Sequence, residues 1–221
     1  MTADPTPPFD GVDVSAWKAA LRARGHLRAG YSAAELIEAW DDCTSMPEPV
    51  AAALAGVPAL AGSRIVFASP EHPVAIPGGR KASETDLFVL ARAPDGALLS
   101  MAVEGKAREA FGPLVSTWRK GASRGKVERL AAICGALNLP SSEIDDLRYQ
   151  LLHRSYSAVA EARRFGAERA MMLVHSFDPG AAHFADFARF TARMGAQPDA
   201  MPVSLAMRVS SPRFYLGWVS G

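Results

Sequence analysis

Three side chains able to do chemistry lie around one short turn. Asp86 precedes Pro94-Asp95-Gly96, Glu104 follows it, and Lys106 stands two residues beyond Glu104. Pro94-Asp95-Gly96 suits a three-residue hairpin loop, because Pro presets the first type I position and Gly takes the left-handed third position without steric cost. If Ala93 closes against Ala97, paired residue numbers sum to 190, and Asp86 falls directly opposite Glu104. Cross-strand neighbours have Cβ atoms about 5 Å apart, so two carboxylates placed this way repel unless a cation lies between them. Strand alternation puts Lys106 on the face of Glu104 and turns Leu99, Met101 and Val103 to the other. Two carboxylates and a backbone carbonyl, that of Gly105, are hard oxygen ligands suited to Mg²⁺ or Mn²⁺. Such an ion clamps a phosphate oxygen and acidifies a bound water, and the lysine would orient that water or offset developing negative charge. The plainer alternative is a Glu-x-Lys pair on a solvated strand. Against it, both segments are apolar on both faces elsewhere (Leu87, Phe88, Val89, Leu90; Leu98, Leu99, Met101, Val103), as central strands are, and unpaired acids are not expected there.

The elements that must hold these residues follow from periodicity. Helical spacing covers 14–27, a second helix opens at Ser32 with Glu35 in the capping-box position, and a third runs over 47–54 to Gly56. The period then becomes strand-like over 64–68, 74–76, 86–92 and 97–107. Helices return after Ser123, stopping at Pro140, and over 142–164; a strand at 170–177, a helix at 181–194 and strands at 203–209 and 214–219 complete the chain. This order predicts a mixed α/β (α+β) domain with one central sheet flanked by helices. Residues 1–12 carry three prolines and are expected to be disordered, leaving 13–221 as a single domain.

Composition narrows the function classes. With 221 residues, 49% hydrophobic and 21% charged, the chain can bury a full core, and a formal net charge of +1 gives no global pull toward a polyanion or a membrane. Cys43 and Cys134 form no C-x-x-C pair, which fits a reducing, cytoplasmic setting without structural zinc. No apolar run is long enough for a spanning helix, so no membrane partner is expected. Charge is nevertheless uneven: between Lys106 and Arg129 seven bases face two acids, including Arg119, Lys120 and Arg124. That segment could track a phosphate backbone, with Trp118 to stack, or could be a solvated helix start. On the long helix, Asp146, Gln150, His153 or Arg154, and Ser157 make a polar stripe that could face the metal or bond backbone carbonyls at a sheet edge. No G-x-S-x-G elbow, Walker loop or histidine cluster is present, which sets aside serine hydrolase and nucleotide-cofactor readings.

At Asp86 and Glu104-x-Lys106 the sequence resembles the PD-(D/E)XK (restriction-endonuclease-like) nuclease superfamily. The resemblance spans roughly 32–177 and includes the lead-in Gly78-Gly79-Arg80-Lys81-Ala82-Ser83. It implies a core of helix, three mostly antiparallel strands, helix and a further strand. It also implies Asp86, Glu104 and the Gly105 carbonyl as ligands of Mg²⁺ or Mn²⁺, Lys106 as the catalytic lysine, and DNA as partner. Some branches add a glutamate on the first core helix, where Glu38 or Glu35 could stand. Others carry Gln-x-x-x-Tyr, here Gln150 followed by Arg154, which places both residues at the substrate side. Stretches 104–113 and 148–154 are also similar to a bacterial protein family without an assigned activity. Two readings remain open: a metal-dependent phosphodiesterase acting on DNA, compatible with a homodimer, or a catalytically inactive nuclease-fold module for binding or assembly.

Overall fold

Asp13 starts the first helix, its carboxylate accepting from Ala16 N at 3.0 Å, the usual way an N-cap side chain satisfies an orphan helix amide. The computed structural model describes residues 10–28, 30–79, 81–197 and 202–221. Three helices lead: α1 (Val14–Ala23), α2 (Ser32–Trp40) and α3 (Glu48–Ala55). Strands β1 (Arg64–Val74), β2 (Ser83–Arg92) and β3 (Leu98–Lys106) follow, then α4 (Val115–Trp118), α5 (Arg124–Leu137), α6 (Tyr149–Phe165), β4 (Arg169–Ser176), α7 (Phe184–Arg193), β5 (Val203–Ala206) and β6 (Arg213–Ser220).

Among the described residues these strands form one six-stranded sheet in the order β1-β2-β3-β4-β6-β5. The β1–β2, β2–β3 and β5–β6 pairs are antiparallel, and β3–β4 and β4–β6 parallel, so the fold is mixed α/β with β2 and β3 inside the sheet. The β2–β3 ladder runs from Arg92↔Leu98 to Leu87↔Val103, the register set by the Pro94-Asp95-Gly96 turn. Alternation then divides the core. Leu87, Val89, Leu99, Met101 and Val103 pack with Trp17, Leu36 and Trp40 of the N-terminal helices. Ala102, Met172 and Val174 pack on the other face with Leu130, Leu152 and Phe190 of α5 to α7.

Several boundaries depart from the periodicity. Helix α1 ends four residues short of 27, because Gly25 (φ 71) turns the chain. The expected capping box at Ser32 does not form: Tyr31 is the N-cap, without a side-chain cap bond, and Ser32 already lies inside the helix. The two short strands expected at 64–68 and 74–76 are one edge strand, β1, which accommodates Pro70 and Pro73 as edge strands can. Helix α6 starts at Tyr149 rather than 142. Residues before it are tied sideways instead, with Val115 N donating to Leu147 O at 2.8 Å and Ser116 N to Asp145 O at 3.1 Å. Ala181 (φ 46) is left-handed, so α7 begins after it. Of the segment expected to be disordered, residues 1–9 lie outside the described residues, while Val12 is docked through its amide to Asp42 O at 2.7 Å. Arg80 of the glycine-rich lead-in also lies outside them.

Candidate active site

Glu104 and Lys106 point from β3 toward α6, where Gln150 and Arg154, one helical turn apart, meet them. Lys106 Nζ donates to Glu104 Oε1 at 2.6 Å, and Gln150 Nε2 donates to the same oxygen at 2.6 Å. Arg154 Nε donates to Glu104 Oε2, its NH2 to Asp86 Oδ1 at 3.1 Å and its NH1 to Ser83 Oγ at 3.2 Å. Gly105 N donates to Asp86 Oδ2 at 3.1 Å. The guanidinium therefore bridges the two carboxylates, and it is the cation their juxtaposition demands. Glu104, Lys106 and Arg154 are 2%, 3% and 7% exposed; Asp86 keeps 28% of its side chain open.

This packing drives the two acids apart in acidity. Burial, then the charge of Glu104, raises the Asp86 carboxyl to about 7, against the opposing pull of Arg154 and Lys106. Burial would raise Glu104 too, but Arg154 and Lys106 outweigh it and hold that carboxylate ionised at about 2. One acid is thus a firm anion while the other stands near its midpoint at neutral pH. Beside them His153, whose Nδ1 lies 2.8 Å from Ser83 Oγ, is kept neutral, its value lowered to about 3 by burial and then by Arg154.

A cavity of about 630 Å³ opens over this cluster. Its floor is the ends of β2 and β3, one wall is α1, the following turn and the start of α2, and the other is 109–113 with α6. Gly105 lets α2 approach: a Cβ there would lie 3.3 Å from Ser32 Cβ. The lining holds five acids, Glu71, Glu84, Asp86, Glu104 and Glu109, against Arg28, Lys106 and Arg154, an excess of two negative charges.

Glu71, Glu84 and Glu109 carried no sequence signal. The pairs Pro70↔Leu87 and His72↔Thr85 set Glu71 opposite Asp86, so acids occupy one row across β1, β2 and β3. Glu71 is left-handed (φ 50), and its carboxyl is raised by burial against the pull of Arg24, which bridges Glu71 and Glu84 at 3.0 and 3.1 Å. Both carboxylate oxygens of Glu109 are buried without a hydrogen-bond partner among the described residues. Among these same residues no three His, Cys, Asp or Glu side chains converge into a metal cluster.

Other expected site residues stand elsewhere. Glu38 is exposed on α2 and does not line the cavity, since Leu36, Ile37 and Trp40 define the buried face of that helix. Glu35 is absent from the lining as well. Arg119, Lys120 and Arg124 do not line it either: Arg119 is paired with Asp145, and Lys120 and Arg124 are exposed around the α4–α5 turn. Trp118 is stacked on Tyr149 at 4.0 Å with Lys126 over its ring at 5.0 Å, so its faces are used internally. Gln150 and Arg154 do line the cavity, but both hold Glu104 rather than stand free for a phosphate.

Asp86, Glu104 and the Gly105 carbonyl are oxygen donors of the kind a hard divalent cation takes. The place between the two carboxylates is filled by the Arg154 guanidinium, so these donors fit such an ion only with that guanidinium withdrawn. None of the curated proteins and none of the solved structures matches this chain. A family model described as "Domain of unknown function (DUF6946)" matches residues 12–221, nearly the whole chain, and the protein therefore belongs to that family.

Proposed function

We propose that the protein is a metal-dependent phosphodiesterase acting on DNA. The observation that carries this is the recessed Asp86–Glu104 pair at the ends of two central strands, bridged by one cation and flanked by Lys106. The order α2, β1 to β3, α6 and parallel β4 supports the PD-(D/E)XK resemblance, whose core runs helix, three strands, helix, strand. A polyanion gains nothing from five acids unless a cation mediates, so the acidic lining favours metal dependence over metal-free phosphate binding.

Asp86, Glu104 and the Gly105 carbonyl would hold Mg²⁺ or Mn²⁺, which when bound polarises a phosphoryl oxygen and acidifies a coordinated water. Glu104, ionised throughout, is the fixed anionic anchor, oriented from two sides by Gln150 and Lys106. A bound cation would favour the ionised form of Asp86, whose carboxyl otherwise stands near its midpoint at neutral pH. Arg154, once released from both carboxylates, would be free to meet a phosphate oxygen bidentately. Lys106 remains beside the reacting centre and offsets charge developing on the phosphoryl group.

One observation favours the rival reading of a binding or assembly module. Two cations against two anions make the Asp86–Glu104–Lys106–Arg154 quartet neutral without any metal, with all three guanidinium nitrogens satisfied. Calorimetric titration with Mn²⁺ of the protein and its Asp86→Ala variant, beside a plasmid-nicking assay, decides between them. Binding that Asp86→Ala abolishes, together with nicking, is the expected result; no Mn²⁺ uptake at millimolar concentration would leave the module reading.

A further inference from the structure

Glu104 is not on a surface that a duplex could lie across, and Asp86 beside it is only partly open. Glu104 and Lys106, 2% and 3% exposed, sit at the floor of the cavity of about 630 Å³, between the N-terminal helices and α6. Volumes of roughly 300–1,000 Å³ are those of small-molecule sites. A B-form duplex, with a major groove alone about 12 Å wide, is poorly matched to a recess of that volume whose floor is 2–3% exposed. An unpaired strand can feed in roughly one or two nucleotides, a load within the same small-molecule range.

The mouth carries a matching feature. Tyr31, at 45% the most exposed aromatic of the lining among the described residues, projects from extended backbone (φ −113, ψ 154) at the N-cap of α2. Exposed Arg28 stands three residues before it on the same wall. An exposed aromatic ring with a guanidinium on the same wall suits an unstacked base and its phosphate, and a duplex offers such a ring no base face. Across the cavity Tyr149 cannot serve in the same way, since Trp118 covers it at 4.0 Å. The acidic lining leaves few cations for a backbone, so stacking must supply a large share of the affinity.

We infer that the substrate is unpaired DNA, a single strand or an overhanging end, with a base next to the scissile phosphate stacked on Tyr31 and a neighbouring phosphate on Arg28. This rests on the phosphodiesterase reading. Because few phosphates are neutralised, log K should fall with log salt with a slope no steeper than about −1.5, at about −0.7 per phosphate.

The test uses the full chain with Mn²⁺ and three end-labelled substrates of one sequence: a single strand, a blunt duplex, and a duplex with an overhang. Cleavage of the strand and the overhang at least about tenfold faster than the blunt duplex is expected. Tyr31→Ala should raise KM roughly tenfold with kcat nearly kept, as loss of one base–aromatic stack implies, and Tyr31→Trp should restore it. Fluorescence anisotropy with a hydrolysis-resistant phosphorothioate strand should show the same loss of binding. Equal cleavage of blunt duplex, or an unchanged KM in Tyr31→Ala, overturns the inference while leaving the phosphodiesterase intact. Failure to cleave any of the three, with no Mn²⁺ uptake, overturns both.

Discussion

At the scale of single residues, Arg154 is the group on which the site turns. It is buried, and its three nitrogens reach Glu104, Asp86 and Ser83. If it stands in for the metal, Arg154→Gln should bind Mn²⁺ more tightly than the parent while melting lower without metal. Breaking a buried ion cluster costs about 3–5 kcal/mol, and the lower end applies because Asp86 is partly solvated. Weaker Mn²⁺ binding by a folded Arg154→Gln protein would make Arg154 a scaffold instead. Lys106→Ala should keep metal binding and lose about 10²–10³-fold in cleavage rate, the usual scale for a positioned charge acting in the transition state. The sequence marked Asp86, Glu104 and Lys106 because turn chemistry is local, so one hairpin fixes their facing. Arg154 was visible only as a mismatch in Gln-x-x-x-Tyr, since nothing along a helix tells which carboxylate across the sheet it reaches.

His175 makes a second residue-scale case, away from the cavity lining. It is fully buried, Trp40 Nε1 donates to its Nδ1 at 3.1 Å, and burial lowers its value to about 4. A charged ring would set two N–H groups against each other, so the folded state keeps it neutral. The unfolded chain takes up that proton first, so stability falls as pH drops from about 6.5 toward 4, by about 1.4 kcal/mol per pH unit at most. His153 contributes in the same direction, whereas Asp86, raised to about 7, contributes stability at low pH that is lost as pH rises from about 4 to 7. Thermal melts across this range should show a shallower acid limb for His175→Asn than for the parent. An identical limb would place the acid sensitivity elsewhere.

At the scale of elements, the β1–β2 turn approaches α5 closely. A Cβ on Gly78, which is left-handed (φ 78), would lie 2.7 Å from Arg129 N, and one on Gly125 would run into the Gly78 carbonyl oxygen. Gly135, in the same helix, has nothing within 4 Å among the described residues. Gly→Ala in an open helix stabilises by about 1 kcal/mol. Gly135→Ala should therefore raise Tm, while Gly125→Ala should lower it despite the same propensity gain; equal shifts would show that the contact is soft. Such contacts explain why parts of the fold were not legible. Ile144 and Leu147 have helical spacing and are buried, yet their segment bonds to α4, so periodicity started α6 too early. Pro70 and Pro73 broke β1 into two pieces on paper, and with that break Glu71 lost its place opposite Asp86.

For the molecule as a whole, a metal that binds only the folded state should raise its stability by mass action. At a hundredfold excess over Kd the gain is about 2.7 kcal/mol, or roughly 5–10 °C in Tm for a chain of this size. Mg²⁺ should shift the parent by that amount and leave Asp86→Ala unmoved, as read by differential scanning calorimetry. The α/β class was legible from the alternation of periods alone, whereas the acidic character of the cavity was not, because its acids come from β1, β2, β3 and the 109–113 loop and meet only in the folded chain.

The two borders of the sheet bear on how the protein behaves when crowded. On one side β1 includes Pro70 and Pro73, which have no N–H, and its register slips between Ile65 and Phe67; on the other, β5 offers four residues. Neither presents an unbroken ladder on which a strand from another copy could template itself. Both margins are thereby blunted against edge-to-edge strand addition, a protection that the net charge of only +1 could not give.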